Sequence, residues 1–168
     1  MARLTAFLDK STARTALMLS LAMAGVVGIA LLFQHVGGYL PCKLCLEQRT
    51  PYYLGAPLML MAALTAAANR NVSRALLAAG GLLMLYGLTI AVFHAGIEWA
   101  WWAGPTDCTA VSGSVTNDAG TLLDDLNAIH PPSCDKAAIR ILGLSMAGWN
   151  VPASLALMIV AFRCAWKA

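Results

Sequence analysis

Two cysteines three residues apart, Cys42 and Cys45 in "GGYLPCKLCLEQRTPYY", lie between runs that are almost wholly apolar. A bridge across two intervening residues closes almost no loop, so it adds little as a structural brace. Cys-x-x-Cys pairs more often do redox or metal chemistry. Two further cysteines, Cys108 and Cys134, flank a polar stretch, and Cys164 stands near the end. Redox exchange, structural bridging and metal ligation are the chemistries open to this set. Zinc would take its remaining ligands from Cys108 and Cys134, or from His35 and His130. A Cys108–Cys134 bridge would brace a long polar loop, but four cysteines allow three pairings and the sequence does not choose.

The neighbours of the pair favour redox chemistry. Thr50 followed by Pro51 reads as the N-cap and first position of a helix. The Cys-x-x-Cys then falls just ahead of a helix positive pole, where a thiolate is stabilised. Arg49 would support the same anion, and Lys43 between the cysteines adds a second positive charge. The helix dipole disfavours an arginine at its start, so Arg49 wants another reason. Snorkelling to headgroups is one; charge stabilisation of a Cys45 thiolate and of a reduced acceptor is the other. His94 ends another apolar run. It is either a hydrogen-bonded interfacial residue or a group that bonds an acceptor carbonyl or relays a proton. His35 is a weaker candidate, and His130 belongs with the polar loop.

These residues need elements to hold them. Of the 168 residues, 60% are hydrophobic and only 11% charged, against about a quarter charged in an ordinary soluble domain. Four runs, 16–36, 50–68, 75–97 and 141–162, approach the roughly 20 residues that cross a bilayer. Lipid offers backbone groups no partner, so each is expected to be helical. The first run continues well past Ala24, too far for the apolar core of a cleaved leader. Arg3, Lys10, Arg14, Arg70, Arg74, Arg163 and Lys167 fall on one side of the spans, leaving Lys43, Arg49, Lys136 and Arg140 on the other. The positive-inside rule puts both termini in the cytoplasm and the loops 37–49 and 98–140 outside. Cys42, Cys45, Cys108 and Cys134 then face the oxidising side, and Cys164 the reducing side as an inert thiol. In the second loop, "TNDAGTLLDDLNAIHPP" has the spacing of a short amphipathic helix. The expected fold is an all-α, single-domain membrane protein, a bundle of four transmembrane helices. A net charge of +3, without basic runs, excludes nucleic acid as a partner.

"PCKLCLEQR", "FHAGIEWAWW", Cys108 with Cys134 and "LGLSMAGWN" together resemble the disulfide bond formation protein B (DsbB) quinone reductases of bacterial inner membranes. The likeness covers nearly the whole chain. It implies a thiol:quinone oxidoreductase that reoxidises a periplasmic DsbA-type thioredoxin-fold oxidase and passes two electrons to ubiquinone or menaquinone, supporting disulfide formation. By that likeness the partner's thiolate attacks Cys108 and releases Cys134. Cys134 then attacks Cys42, and the freed Cys45 donates to the quinone, which Arg49 and His94 bind. Gln48 stands where some relatives carry an acid, and no role is assigned to it. The vitamin K epoxide reductase-like group shares the ingredients but places its loop pair before the Cys-x-x-Cys. Other readings are a cysteine-ligated metal-binding or transport protein and a structural subunit with bracing disulfides.

Overall fold

The computed structural model describes residues 2–104 and 134–167. Cys108, His130 and the expected amphipathic loop helix lie outside the described residues. Within them the order is α1 (Ala2–His35), α2 (Lys43–Glu47), α3 (Thr50–Thr65), α4 (Arg70–Glu98), β1 (Arg140–Ile141), β2 (Leu144–Ser145) and α5 (Met146–Lys167).

The four longer helices pack side by side. α3 lies against α1 and α4, and α4 lies against α5; α1 and α5 barely touch. Buried residues recur at three- and four-residue steps, as in Ala16, Leu19, Met23 and Val27 of α1 and Leu77, Gly80, Met84, Gly87 and Ala91 of α4. Glycines permit close approach: a Cβ on Gly81 would meet the Phe162 ring at 2.9 Å, and one on Gly80 would collide with Met59. The outside is apolar instead of charged, with Leu21, Leu32, Leu64, Leu82 and Leu85 all exposed. Meanwhile Ser20, Ser73 and Ser154 are buried and bonded to neighbours. Such an inside-out distribution suits lipid as the solvent.

Among the described residues three helices are long and apolar enough to cross a membrane: α1 over Lys10–His35, α4 and α5. The second expected span is shorter than its apolar run. α3 has 16 residues, about 24 Å of helix against a core of about 30 Å. It stops at Thr65 because the chain turns there: Ala68 and Asn69 both donate to the Thr65 carbonyl, and Asn69 Oδ1 accepts from Val72 N–H to open α4.

The fourth span also departs from expectation, and from a purely helical fold. Residues 140–145 form a two-stranded hairpin, pairing Arg140 with Ser145 and Ile141 with Leu144. Its turn residues Leu142 and Gly143 both have positive φ, 53° and 85°, the signature of a tight type I′ connection. Helix α5 therefore begins at Met146, not at Ile141. Ser145 caps it, its Oγ accepting from Gly148 N–H at 3.0 Å.

Candidate active site

The chain leaves α1 through Gly38, at φ +70°, and arrives at Cys42, which caps α2. Its Sγ accepts from Cys45 N–H at 3.3 Å. The Cys-x-x-Cys thus folds into its own short helix instead of preceding the pole of α3. Thr50, expected as the α3 cap, is the first helical residue; Arg49 precedes it and makes no side-chain cap bond. The Arg49 backbone carbonyl accepts from Tyr52 and Tyr53 N–H, and its guanidinium points away from the helix start. Its Nη1 donates to Gln34 Oε1 of α1 at 2.6 Å.

Both thiols of the pair are free, and their sulfurs lie 2.7 Å apart. Their ionisation is driven apart by that contact. The Cys45 hydrogen bond stabilises the Cys42 thiolate and, against the opposing effect of burial, the His94 hydrogen bond adds to it. The Cys42 thiol is lowered from 9.0 to about 5. Cys45 is pushed well up, first by holding the proton it donates to Cys42, then by burial and by the Cys42 charge. Cys42 is the thiolate and Cys45 the thiol.

His94 is 2% exposed on α4. Its Nε2 lies 3.7 Å from Cys42 Sγ and 3.8 Å from Glu98 Oε1, one helical turn on. Its Nδ1 meets Gln48 Nε2 at 2.6 Å. Gln48 Oε1 accepts from Asn150 Nδ2 at 2.6 Å, and Asn150 Oδ1 accepts from Tyr52 Oη at 2.5 Å. Tyr52 Oη also shares a hydrogen bond of 2.8 Å with Ser154 Oγ. On the other side Ser145 Oγ donates to Glu98, so the residue that caps α5 also holds the carboxylate near the histidine. Burying this many polar groups is tolerable only when each is paired. Among the described residues no buried side-chain nitrogen or oxygen lacks a partner.

Cys134 joins the same cluster. It is buried, disulfide-bonded, and packs with Cys42, Leu44 and Ile97. Cys42 Sγ, His94 Nε2 or Nδ1, and Cys134 Sγ all lie within 4.8 Å of one another.

Beside the pair, α1, α3 and α5 enclose a cavity of about 420 Å³, within the range of small-molecule sites. Val26, Val27, Ala30, Phe33 and Met146 give it apolar walls, and Cys45, Gln48, Arg49, Tyr52 and Asn150 bring polar groups to it. Cys45 and Arg49 both line the cavity. His94 stands behind Gln48 and contacts Cys42. His35 is exposed at the end of α1, and Cys164 lies half-buried on α5, within hydrogen-bond reach of Thr12 and Thr15 of α1. Sequence reasoning passed over Gln48, Tyr52, Glu98 and Asn150. Two signals existed: Glu98 is four residues after His94 on one helix, and Asn150 is an amide inside an apolar run.

The chain matches the family described as "Disulfide bond formation protein DsbB" over residues 12–164. It is 30% identical to a disulfide bond formation protein B of Polaromonas sp., over 92% of this chain and 90% of the relative. A protein of the same name from Cupriavidus necator is 33% identical over 48% of each chain. An uncharacterized protein of Rickettsia prowazekii is 25% identical over 77% of this chain and 74% of its own. No solved structure matches. An apolar-surfaced helical bundle with a Cys-x-x-Cys beside a buried, disulfide-bonded Cys134, matched over these residues, belongs to the DsbB family of disulfide bond formation proteins.

Proposed function

We propose that this protein is a thiol:quinone oxidoreductase of the bacterial inner membrane, which reoxidises a periplasmic DsbA-type dithiol oxidase and delivers two electrons to membrane quinone. α1, α3, α4 and α5 all cross, with both termini cytoplasmic and the cysteine cluster at the periplasmic face. One observation carries the reading. Cys42 and Cys134 lie within 4.8 Å while Cys45 borders an apolar cavity, so one pair links a water-side disulfide to a lipid-side site.

The cavity fits the head of a quinone: apolar walls for a flat ring, with Arg49, Gln48, Tyr52 and Asn150 offering donors to its oxygens. Bound there, ubiquinone or menaquinone supplies a two-electron, two-proton acceptor. The cysteines do the rest. The partner's thiolate attacks Cys108, forming a mixed disulfide, breaking Cys108–Cys134 and releasing Cys134 as thiolate. Cys134 attacks Cys42 of the oxidised Cys42–Cys45 bond, forming Cys42–Cys134 and releasing Cys45. The largest cause holding a proton on Cys45 is its bond to the Cys42 thiolate. That cause disappears once the Cys42 sulfur is bonded to Cys134. Cys45, released as a thiolate by that exchange, then faces the cavity that Arg49 also lines, with burial still opposing its charge. The partner's second thiol displaces Cys108 and the partner leaves oxidised; Cys108 attacks Cys134, restoring Cys108–Cys134 and releasing Cys42. Cys42 and Cys45 then re-form their bond by giving up two electrons and two protons to quinone.

The test is reconstitution with a reduced periplasmic oxidase and a soluble quinone, following quinone reduction. Turnover should be abolished in Cys42→Ser, Cys45→Ser, Cys108→Ser and Cys134→Ser and persist in Cys164→Ser. Full turnover in Cys45→Ser would refute its role as donor. A metal-ligand reading of Cys42, His94 and Cys134 is disfavoured because the Cys134 sulfur is already bonded to sulfur.

A further inference from the structure

We infer that Asn150 and Gln48 are positioning residues that fix the proton of His94 on Nε2, making this histidine a hydrogen-bond donor to Cys42 instead of its base. The consequence for turnover rests on the thiol-transfer reading above; the tautomer itself does not. The direction of the chain starts from the Tyr52 hydroxyl, which donates to Asn150 Oδ1. An amide nitrogen only donates and an amide oxygen only accepts. The bond from Tyr52 therefore turns Asn150 Nδ2 towards Gln48. Gln48 Oε1 accepts that bond, which turns Gln48 Nε2 towards His94. The ring nitrogen that meets it, Nδ1, must then be bare. A neutral imidazole with a bare Nδ1 carries its proton on Nε2.

That atom is the one aimed at the chemistry. Two titratable groups face it, Cys42 Sγ at 3.7 Å and Glu98 Oε1 at 3.8 Å. With a proton on Nε2 the ring stabilises the Cys42 thiolate and eases the departure of that sulfur whenever a disulfide to it is broken. With the opposite tautomer a lone pair would face the sulfur, and the stabilisation would be lost. Three helices supply the relay, His94 from α4, Tyr52 from α3 and Asn150 from α5, with Gln48 in the turn between α2 and α3. The ring's orientation is thus tied to the packing of the bundle. Asn150 and Tyr52 also border the cavity.

The experiment is nitrogen NMR of ring-labelled histidine in the purified full-length protein with Cys42 and Cys45 reduced, without partner or quinone. His94→Gln identifies the signals by their loss. The expected result is a protonated Nε2 and a bare Nδ1. Gln48→Glu replaces the donor by a carboxylate that accepts from both neighbours, so the proton should move to Nδ1. Asn150→Asp should do the same by turning the Gln48 amide over. A wild-type proton on Nδ1, or a Gln48→Glu protein that keeps it on Nε2, would overturn the inference. A folded Asn150→Asp protein with an unchanged ring would remove Asn150 from the role; if that variant misfolds, Gln48→Glu, nearly isosteric, decides. In the turnover assay Gln48→Glu should be slower by about tenfold, the effect of losing one hydrogen bond to a charged group. A wild-type protein with the expected tautomer and no quinone reduction would sink the proposed function and leave the relay standing.

Discussion

Cys42 and Cys45 are chemically the same residue, yet their surroundings give them opposite ionisation. Cys42 collects donors: the Cys45 thiol, the Cys45 backbone N–H and the His94 ring. Because its value is lowered from 9.0 to about 5, the thiolate forms as pH rises through about 5, and below that pH the sulfur is protonated. Ultraviolet thiolate absorbance of the protein with this pair reduced should therefore show one ionisation centred near pH 5. His94→Phe should move that midpoint upward. A midpoint unchanged by the substitution would mean that the histidine contributes nothing to the anion. At this scale part of the site was legible. Cys42, Cys45, Arg49 and His94 stand out by type and spacing. Gln48 and Asn150 do not, because their meaning lies in a bond across 102 positions that no local pattern records.

The elements place those residues by means that the apolar runs conceal. Hydropathy marks where lipid-facing helix belongs, and α1 and α4 follow it closely. It is blind to turns made of apolar residues, and so the hairpin at 140–145 reads as helix. Leu142 and Ile141 are apolar enough to extend the run, yet the positive φ at Leu142 and Gly143 forces the chain back on itself. The short α2 was hidden for a similar reason: its five residues show no repeat, and its cap is a cysteine. Ser145 ties the hairpin to the site, capping α5 and donating to Glu98. Ser145→Ala should cost about 1–2 kcal/mol in thermal or denaturant unfolding, the usual effect of a lost cap. The same change leaves Glu98 one donor short, so turnover should fall as well, while Ser145→Thr, which keeps the hydroxyl, should restore much of both.

As a whole the molecule is a bundle with two chemically distinct ends. Trp99, Trp101, Trp102, Trp149, Tyr39 and Tyr53 are exposed near the cysteine cluster, as aromatic side chains are at a membrane interface. Arg70, Arg74, Arg163 and Lys167 lie at the other end, where Arg70 reaches the Lys167 carbonyl. Tags fused to either terminus should accordingly be protected from protease in intact spheroplasts and cleaved in inverted vesicles. Cleavage of a terminal tag from outside the cell would reverse the orientation and remove the cysteines from the oxidising compartment.

The loose seam between α1 and α5 has a consequence for how an acceptor would come and go. Ile29 and Trp149 line the cavity and are themselves exposed, so its mouth opens sideways through the bundle wall. On the proposed function, a quinone ring entering by that gap would leave its isoprenoid tail among the acyl chains, never stripped of its oily surroundings. Affinity should then be nearly indifferent to tail length, and the traffic of carriers would be a matter of lateral drift in the bilayer plane.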